Sequence, residues 1–456
     1  MHFMGLRNKQ IVVVGLGRSG VATSRFLVNQ GARVTVTDRA PAETLKASAG
    51  ALDGLGIQLK LGGHDAGDFE TADLVVLSPG VPHTLPILEP AWANGTPVIG
   101  EMELAAGYIT EPILAVTGTN GKTTTTELVG NMLRNSGKNV FVGGNIGTPL
   151  IVYADGAHER ADVVVAEVSS FQLDTTIDFR PDTAVMLNIT DDHLDRYPTF
   201  SAYANSKWRI FEKQRPTDAA VLNAMDATVA AMIKKWTPMA RHRLFSDQVI
   251  MNGAQILKDK ILLFDAGRQT GSFALDKTGL IGPHNRENVA AACLAAREQG
   301  ATDAGIQQAI DEFQGLSHRL ETVGRVRGVR FVNDSKATNV NAVKRALECF
   351  DRPVVLIMGG QNKKGDFTQL KSQVRRQVKT LVAMGEARDE IVTALAGDPE
   401  KGIIEAGSME EAVEKAFGAA MAGETVLLSP ACASFDMFDN YAHRGNWFRE
   451  VVERLG

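Results

Sequence analysis

Short, continuous apolar runs recur along the chain. Most give way to a polar loop, often with glycine, and then to a helix-like stretch. Residues 11–14, 33–38, 72–78 and 98–101 form a first series. Residues 113–116, 140–143, 161–167 and 183–188 form a second, and 329–333, 353–358, 380–384 and 424–428 a third. Apolar runs without alternation predict strands buried on both faces, as in parallel sheets covered by helices. Residues 241–275 break the pattern. There, short strands alternate with turns at Asn252-Gly253 and at 265–267, predicting a small antiparallel sheet. An Ala-rich helix then runs from about Asn285 to Gln299. The pattern predicts an α/β protein of three domains, at residues 1–107, 108–315 and 316–456. In such sheets ligands gather at the carboxyl ends of the strands.

Composition narrows the function. The 456 residues are 44% hydrophobic and 22% charged, ordinary for a soluble globular protein. The net charge is −5 with no long basic run, which argues against a nucleic-acid partner. Cys293, Cys349 and Cys432 lie far apart with no metal-type spacing, and read as reduced thiols. Residues 1–10 hold no apolar signal core, and no run approaches the ~18 apolar residues of a membrane helix. A cytoplasmic protein without membrane insertion is expected.

The chemistry sits in the loops. Residues 112–126 read as strand, glycine turn and helix, with Gly118, Thr119, Asn120, Gly121, Lys122, Thr123 and Thr124 at the turn. A helix N-terminus there offers N–H groups and partial positive charge to an anion. Lys122 suits β- and γ-phosphates, and the Thr123 hydroxyl suits Mg²⁺. The usual phosphate-loop pattern has glycine where this chain has Val116. Glu167, at the tip of a buried run, is placed like the acid that holds Mg²⁺ in nucleotide hydrolases. Its plain alternative is to cap the Ser169/Ser170 turn. His193 follows the next strand and is either a metal ligand or a structural histidine. Lys207, on a helix over 200–211, has nothing in its spacing to set it apart from a solvated lysine.

Near the N-terminus, Gly15, Gly17 and Gly20 follow a strand, and Asp38 ends the next one. This is the spacing of a Rossmann-like dinucleotide site. The same loop could hold another diphosphate, such as that of a UDP-sugar. Ser78-Pro79-Gly80 ends a third strand and is either a ligand-binding edge or a mere turn. Asn285 and Asn288 either cap a helix or read a purine edge.

Taken together these motifs resemble the Mur ligase family, ATP-dependent amide-forming enzymes of peptidoglycan precursor synthesis. Thr117-Gly-Thr-Asn-Gly-Lys-Thr123 is similar to that family's ATP motif, including the valine before it. Glu167, His193, Asn285, His318-Arg319 and Asp334 stand in the family's order. Gly15-Leu-Gly-Arg-Ser-Gly20, Asn333-Asp-Ser-Lys-Ala-Thr-Asn339, Leu428-Ser-Pro-Ala-Cys-Ala-Ser-Phe-Asp436 and His443-Arg-Gly-Asn446 most resemble the branch that couples D-glutamate to UDP-N-acetylmuramoyl-L-alanine.

The resemblance implies a Rossmann-like first domain, a central P-loop ATPase-type domain and a doubly wound C-terminal domain. It implies that Gly17, Arg18, Ser19, Asp38, Arg39, Ser78, Gly80 and Asn145 meet the UDP-substrate. ATP would be held by the loop residues with Asn285, Asn288, Arg319 and Asp334. It implies two Mg²⁺ ions, with Mn²⁺ as the alternative, on Thr123, Glu167, His193 and a carbamylated Lys207. Lys122, His193, Lys207 and Arg319 would be catalytic. D-glutamate would be surrounded by Lys336, Thr338, Lys363, Ser434, Phe435 and Tyr441, with Lys364 the alternative to Lys363. A monomer is expected. Two other readings stay open: a different amide ligase of the same build, and an NAD-dependent reductase. The reductase lacks a suitably placed tyrosine–lysine or cysteine pair.

Overall fold

The structure is a computed structural model and describes residues 5–192, 196–280, 282–400 and 402–456. It is α/β with three sheets. The chain divides into two compact units. One comprises the chain up to Ile189, Ser201–Ala274 and Val289–Ile310; the other holds Thr190–Phe200, Leu275–Asn288 and Asp311–Gly456.

Two sheets belong to the first unit. The first contains β1 (Gln10–Val14), β2 (Arg33–Asp38), β3 (Gln58–Leu61), β4 (Leu74–Leu77) and β5 (Val98–Gly100), all parallel, in the order β3-β2-β1-β4-β5. The order reverses between β1 and β4, which makes that edge a ligand crevice. Gly15 has φ +95°, and a Cβ on Gly20 would lie 1.9 Å from the Gly15 carbonyl oxygen. Helix Arg18–Asn29 can pack this closely on β1 only because residue 20 is glycine.

The second sheet contains β6 (Ile113–Thr117), β7 (Val140–Gly144), β8 (Val163–Glu167), β9 (Thr183–Met186), β10 (Ala219–Asn223), β11 (Arg241–Ser246), β12 (Gly253–Ile256), β13 (Lys260–Asp265) and β14 (Arg268–Ala274). β6 lies between β8 and β9, and every residue of these three strands is buried. The unbroken apolar runs are thus explained by cover on both faces. The antiparallel strands expected over 241–275 are present as β12, β13 and β14, but they do not stand apart. β11 and β12 run parallel to β10 and carry β13 and β14 as an extension of the same sheet. Gly253 permits this. It has φ +148°, and a Cβ there would lie 1.8 Å from the Leu244 carbonyl oxygen. Asn252-Gly253, read as a turn, therefore opens β12.

The first two sheets are joined by a short helix, Glu101–Ala106, that directly follows β5. Glu101 accepts the Ile151 N–H (2.7 Å), and Glu103 accepts those of Asp178 and Phe179 (2.8 and 3.0 Å). Both carboxyl groups are buried. Burial pushes Glu101 up to about 7 and also raises Glu103.

The second unit holds the third sheet: β15 (Glu321–Val326), β16 (Val329–Asn333), β17 (Val354–Gly359), β18 (Val378–Met384), β19 (Ile403–Glu405) and β20 (Thr425–Leu428), in the order β15-β16-β20-β17-β18-β19. Only β15 is antiparallel to its neighbour. Apolar clusters cover both faces. The loops after β16, β17, β18 and β20 consequently open at one edge.

Candidate active site

The loop after β6 is pinned from β9's side. Thr119 N–H donates to the Asn188 carbonyl (2.9 Å) and Asn120 N–H to the Asn188 side-chain oxygen (2.8 Å). The Asn188 amide returns a bond to the Asn120 carbonyl (3.0 Å). Gly118 and Gly121 have φ +155° and +87°, which glycine adopts without strain. Helix Lys122–Arg134 starts immediately after, with Thr124 buried in its first turn.

Two lysines converge on this loop. Lys122 Nζ donates to the carbonyls of Gly118 (2.8 Å) and Thr119 (2.9 Å). Lys207 Nζ donates to the same Gly118 carbonyl (2.9 Å) and lies 4.7 Å from the centre of the Tyr203 ring. Tyr203 in turn bonds the Thr119 hydroxyl (3.1 Å). Lys207 is only 2% exposed, so its reading as a solvated lysine is corrected. The helix Phe200–Trp208 has no clear polar face from which this could be read.

Beside the lysines, the Thr123 hydroxyl donates to Glu167 Oε2 (2.7 Å) and the Asn145 amide to Oε1 (2.9 Å). Glu167 does not cap the following turn. Ser169 does so itself, through a reciprocal pair of bonds with Gln172. Hydroxyl, carboxylate and amide oxygens are the hard ligands that Mg²⁺ prefers, so Thr123, Glu167 and Asn145 fit such an ion. His193 lies outside the described residues. Among the described residues no group of three or more His, Cys, Asp or Glu side chains is placed to hold a metal.

At the crevice of the first sheet, Asp38 is turned onto the backbone. Its Oδ2 accepts Leu16 N–H (2.7 Å) and its Oδ1 accepts Ala40 N–H (2.8 Å). Ser78 donates to the Gly15 carbonyl (2.8 Å), so Ser78-Pro79-Gly80 braces the glycine turn. Gly17 and Gly80 face open space. Arg18 and Arg39 are exposed and Ser19 partly so. Asn145, expected to meet the UDP-substrate, sits on Glu167.

In the second unit, Asp334 is buried and accepts from Ser429 Oγ (2.9 Å) and Leu320 N–H (3.3 Å). Burial outweighs these bonds and the nearby Arg319, and raises it to about 7. His318 has φ +65°, and its ring packs where a Cβ on Gly445 would be 2.2 Å away. Its Nδ1 meets the Asn333 amide (3.0 Å). Glu321 accepts from His318 N–H, Asn333 and Arg449 (2.9, 3.2 and 2.6 Å).

Lys336 Nζ stands 3.7 Å above the Tyr441 ring, so these two predicted residues are brought together. Ser434 is buried, Thr338 half-buried, and Phe435 and Lys363 are exposed. Lys364 is also exposed, with φ +62°. Arg444 ties the loops beneath them. It is 1% exposed and donates to Ser335 Oγ and to the carbonyls of Ser335, Gly359, Cys432 and Ala433 (2.8–3.4 Å). Asn285 and Asn288 are buried and bonded to each other (3.0 Å). They lie inside helix Pro283–Glu298, so neither is its cap.

Sequence reasoning missed Tyr203, Asn188, Glu321 and Arg444. All four lie in stretches that drew attention for other residues, and none carries a signal of its own in type or spacing.

A phosphate loop facing an acid at a neighbouring strand tip, in a chain of three such sheets, defines a nucleotide-dependent α/β class. The chain belongs to the Mur ligase family. Family models match as the Mur ligase MurD-like N-terminal domain over residues 9–100, the Mur ligase middle domain over 116–296, and the Mur ligase glutamate ligase domain over 318–432. The chain is 49% identical, over 98% of its length and 97% of the relative's, to the UDP-N-acetylmuramoylalanine–D-glutamate ligase of Desulfosudis oleivorans. It is 48% identical to the enzyme of that name from Desulfatibacillum aliphaticivorans, over 99% of this chain and 100% of the relative. Among solved structures, a pseudomurein peptide ligase type C from Methanothermus fervidus matches with TM-score 0.62 at 21% identity, covering 98% of this chain and 100% of that one. A MurF ligase from Thermotoga maritima in complex with ADP matches with TM-score 0.62 at 16% identity, over 99% and 96%. At these identities the structures speak for the fold alone.

Proposed function

We propose that this chain is the ADP-forming ligase that adds D-glutamate to UDP-N-acetylmuramoyl-L-alanine, acting in the cytoplasm. The observation that carries this is the full-length identity of nearly one half to enzymes of that name. The geometry of the loop after β6 supports it. Among the described residues no helix is long and apolar enough to cross a membrane.

A carboxylate does not condense with an amine at neutral pH, so its oxygen must first become a leaving group. The γ-phosphoryl group of ATP passes to the L-alanyl carboxylate, giving an acyl phosphate. The amine of D-glutamate attacks the carbonyl carbon, and phosphate leaves as the amide forms. Lys122 swings from the Gly118 and Thr119 carbonyls onto the phosphates and offsets charge on the transferred group. The N–H groups of residues 121–123 cradle the same anion. Thr123 and Glu167 would hold Mg²⁺, which would supply Lewis-acid stabilisation of the phosphoryl oxygens. A second ion would be held by His193 and a carbamylated Lys207. Burial of Lys207 against the phosphate loop supports it. Asn285, Asn288, Arg319 and Asp334 serve the nucleotide, and Lys336, Thr338, Lys363, Ser434, Phe435 and Tyr441 the amino acid. The domains follow at 1–107, 108–315 and 316–456, and the enzyme is a monomer.

The test is incubation with UDP-N-acetylmuramoyl-L-alanine, ATP and D-glutamate, followed by mass spectrometry. ADP and the coupled product should appear together. Activity with L-alanine or glycine in place of D-glutamate would assign a different amide ligase.

A further inference from the structure

The loop after β3 turns back onto the end of β2. Gly62 N–H donates to the carbonyls of Asp38 and Ala40 (3.0 and 2.9 Å), and Gly63 N–H to that of Asp38 (3.1 Å). Gly62 has φ +87° and Gly63 +159°, which suit glycine. The turn brings His64 beside Thr37, with Nδ1 2.8 Å from the Thr37 hydroxyl. Thr37 is fully buried, and the same hydroxyl lies 3.0 Å from the Gly63 carbonyl oxygen. A hydroxyl has one proton to give, and a carbonyl can only accept. The Thr37 proton therefore goes to Gly63, and the Thr37 oxygen accepts from His64. Nδ1 carries hydrogen, so in the neutral ring Nε2 is an acceptor. Nδ1 faces the buried threonine, and Nε2 on the other side of the ring points away from it. The residue is partly exposed.

Asp38, expected to read the substrate, already accepts one backbone N–H on each oxygen. It braces the glycine turn. His64 stands at the outer side of β2, away from the phosphate-binding turn at β1. In doubly wound sheets the ribose and base of a nucleotide extend from that turn past the end of β2. Uracil offers a single N–H, at N3, between two carbonyls; cytosine offers a lone pair at the same position. A nitrogen that can only accept fits uracil and not cytosine. We propose that His64 sets base specificity for the UDP-substrate, its Nε2 accepting the uracil N3–H while Thr37 fixes the tautomer. This rests on the first sheet being the UDP site, as the family resemblance implies.

The test is calorimetric titration of the full chain with UDP and with N3-methyl-UDP. Wild type should bind UDP about tenfold more tightly, the worth of one neutral hydrogen bond. His64→Ala should bind both ligands alike, at the weaker level. Its KM for the UDP-substrate should rise about tenfold, against little change in kcat or in KM for ATP. His64→Gln, whose amide oxygen can still accept, should keep part of the preference. Circular dichroism confirms that the variants are folded. If His64→Ala or His64→Gln is folded and discriminates as wild type does, the His64 assignment is overturned and the UDP site stands. If wild type binds no UDP, the UDP-site reading itself falls and takes His64 with it.

Discussion

The glycine turn after β1 and the loop after β6 share one construction. Each is a buried parallel strand, a turn with at least one glycine at positive φ, and a helix whose N-terminus faces the strand end. They differ in what surrounds the turn. Around the first, the polar side chains Asp38 and Ser78 are spent on the backbone, bracing the turn. Around the second, Lys122, Lys207, Thr123 and Glu167 crowd the helix N-terminus. On the proposed assignment the first turn would hold a diphosphate that does not react, and the second would bring movable charge and metal-type oxygens to a phosphate that does. Shared topology thus sets where an anion sits, and the side chains set whether chemistry follows.

The largest break in this contrast comes from the second loop. Lys122→Ala should lower phosphate release by about a thousandfold or more, since a charged phosphate contact is lost in the transition state; a phosphate-release assay with retained turnover would contradict the assignment. Glu167→Gln keeps a bond to Thr123 but removes the charge. It should cost about a hundredfold in kcat and raise the Mg²⁺ concentration needed for half activity. Lys207→Ala should be inactive and regain part of its activity with short carboxylic acids. Full activity without them would refute the carbamate. In the first loop, Gly20→Ala forces a methyl against the Gly15 carbonyl. It should destabilise by about 1–3 kcal/mol and raise KM for the UDP-substrate while leaving KM for ATP alone.

The last effect, on stability and not on turnover, lies at the helix joining the two sheets. Glu101 is raised from 4.5 to about 7 by burial. An acid raised on folding holds its proton longer in the folded state. Its contribution is therefore complete below the unfolded value and lost as pH climbs from about 4.5 through about 7. Glu101→Gln should be more stable than wild type at pH 8, by at most about 3 kcal/mol, and no more stable at pH 4. Thermal melts at the two pH values check this.

Most of the fold was legible because each unbroken apolar run is a strand covered on both faces, with its loop at the carboxyl edge. The phosphate loop and Glu167 were legible for the same reason, as strand-tip residues. Lys207 was not: its helix lacks polar–apolar periodicity, and its burial comes from a strand loop 89 residues away. Arg444 and Glu101 were hidden likewise, as charged groups whose partners are mostly backbone atoms remote in the chain. The extension of the central sheet through β12 turns on Gly253, whose missing Cβ has no meaning until Leu244 lies beside it.

One carbonyl oxygen, that of Gly118, accepts from both Lys122 and Lys207, and until Lys207 takes up CO₂ it is the resting place of two ammonium groups. Like charges held so near each other repel, and anything negative that settles between them relieves the strain. Sulfate or phosphate in a storage buffer should therefore protect the empty enzyme against heat, whereas the same salt in an assay would compete with the nucleotide. The choice of anion becomes an experimental variable in its own right.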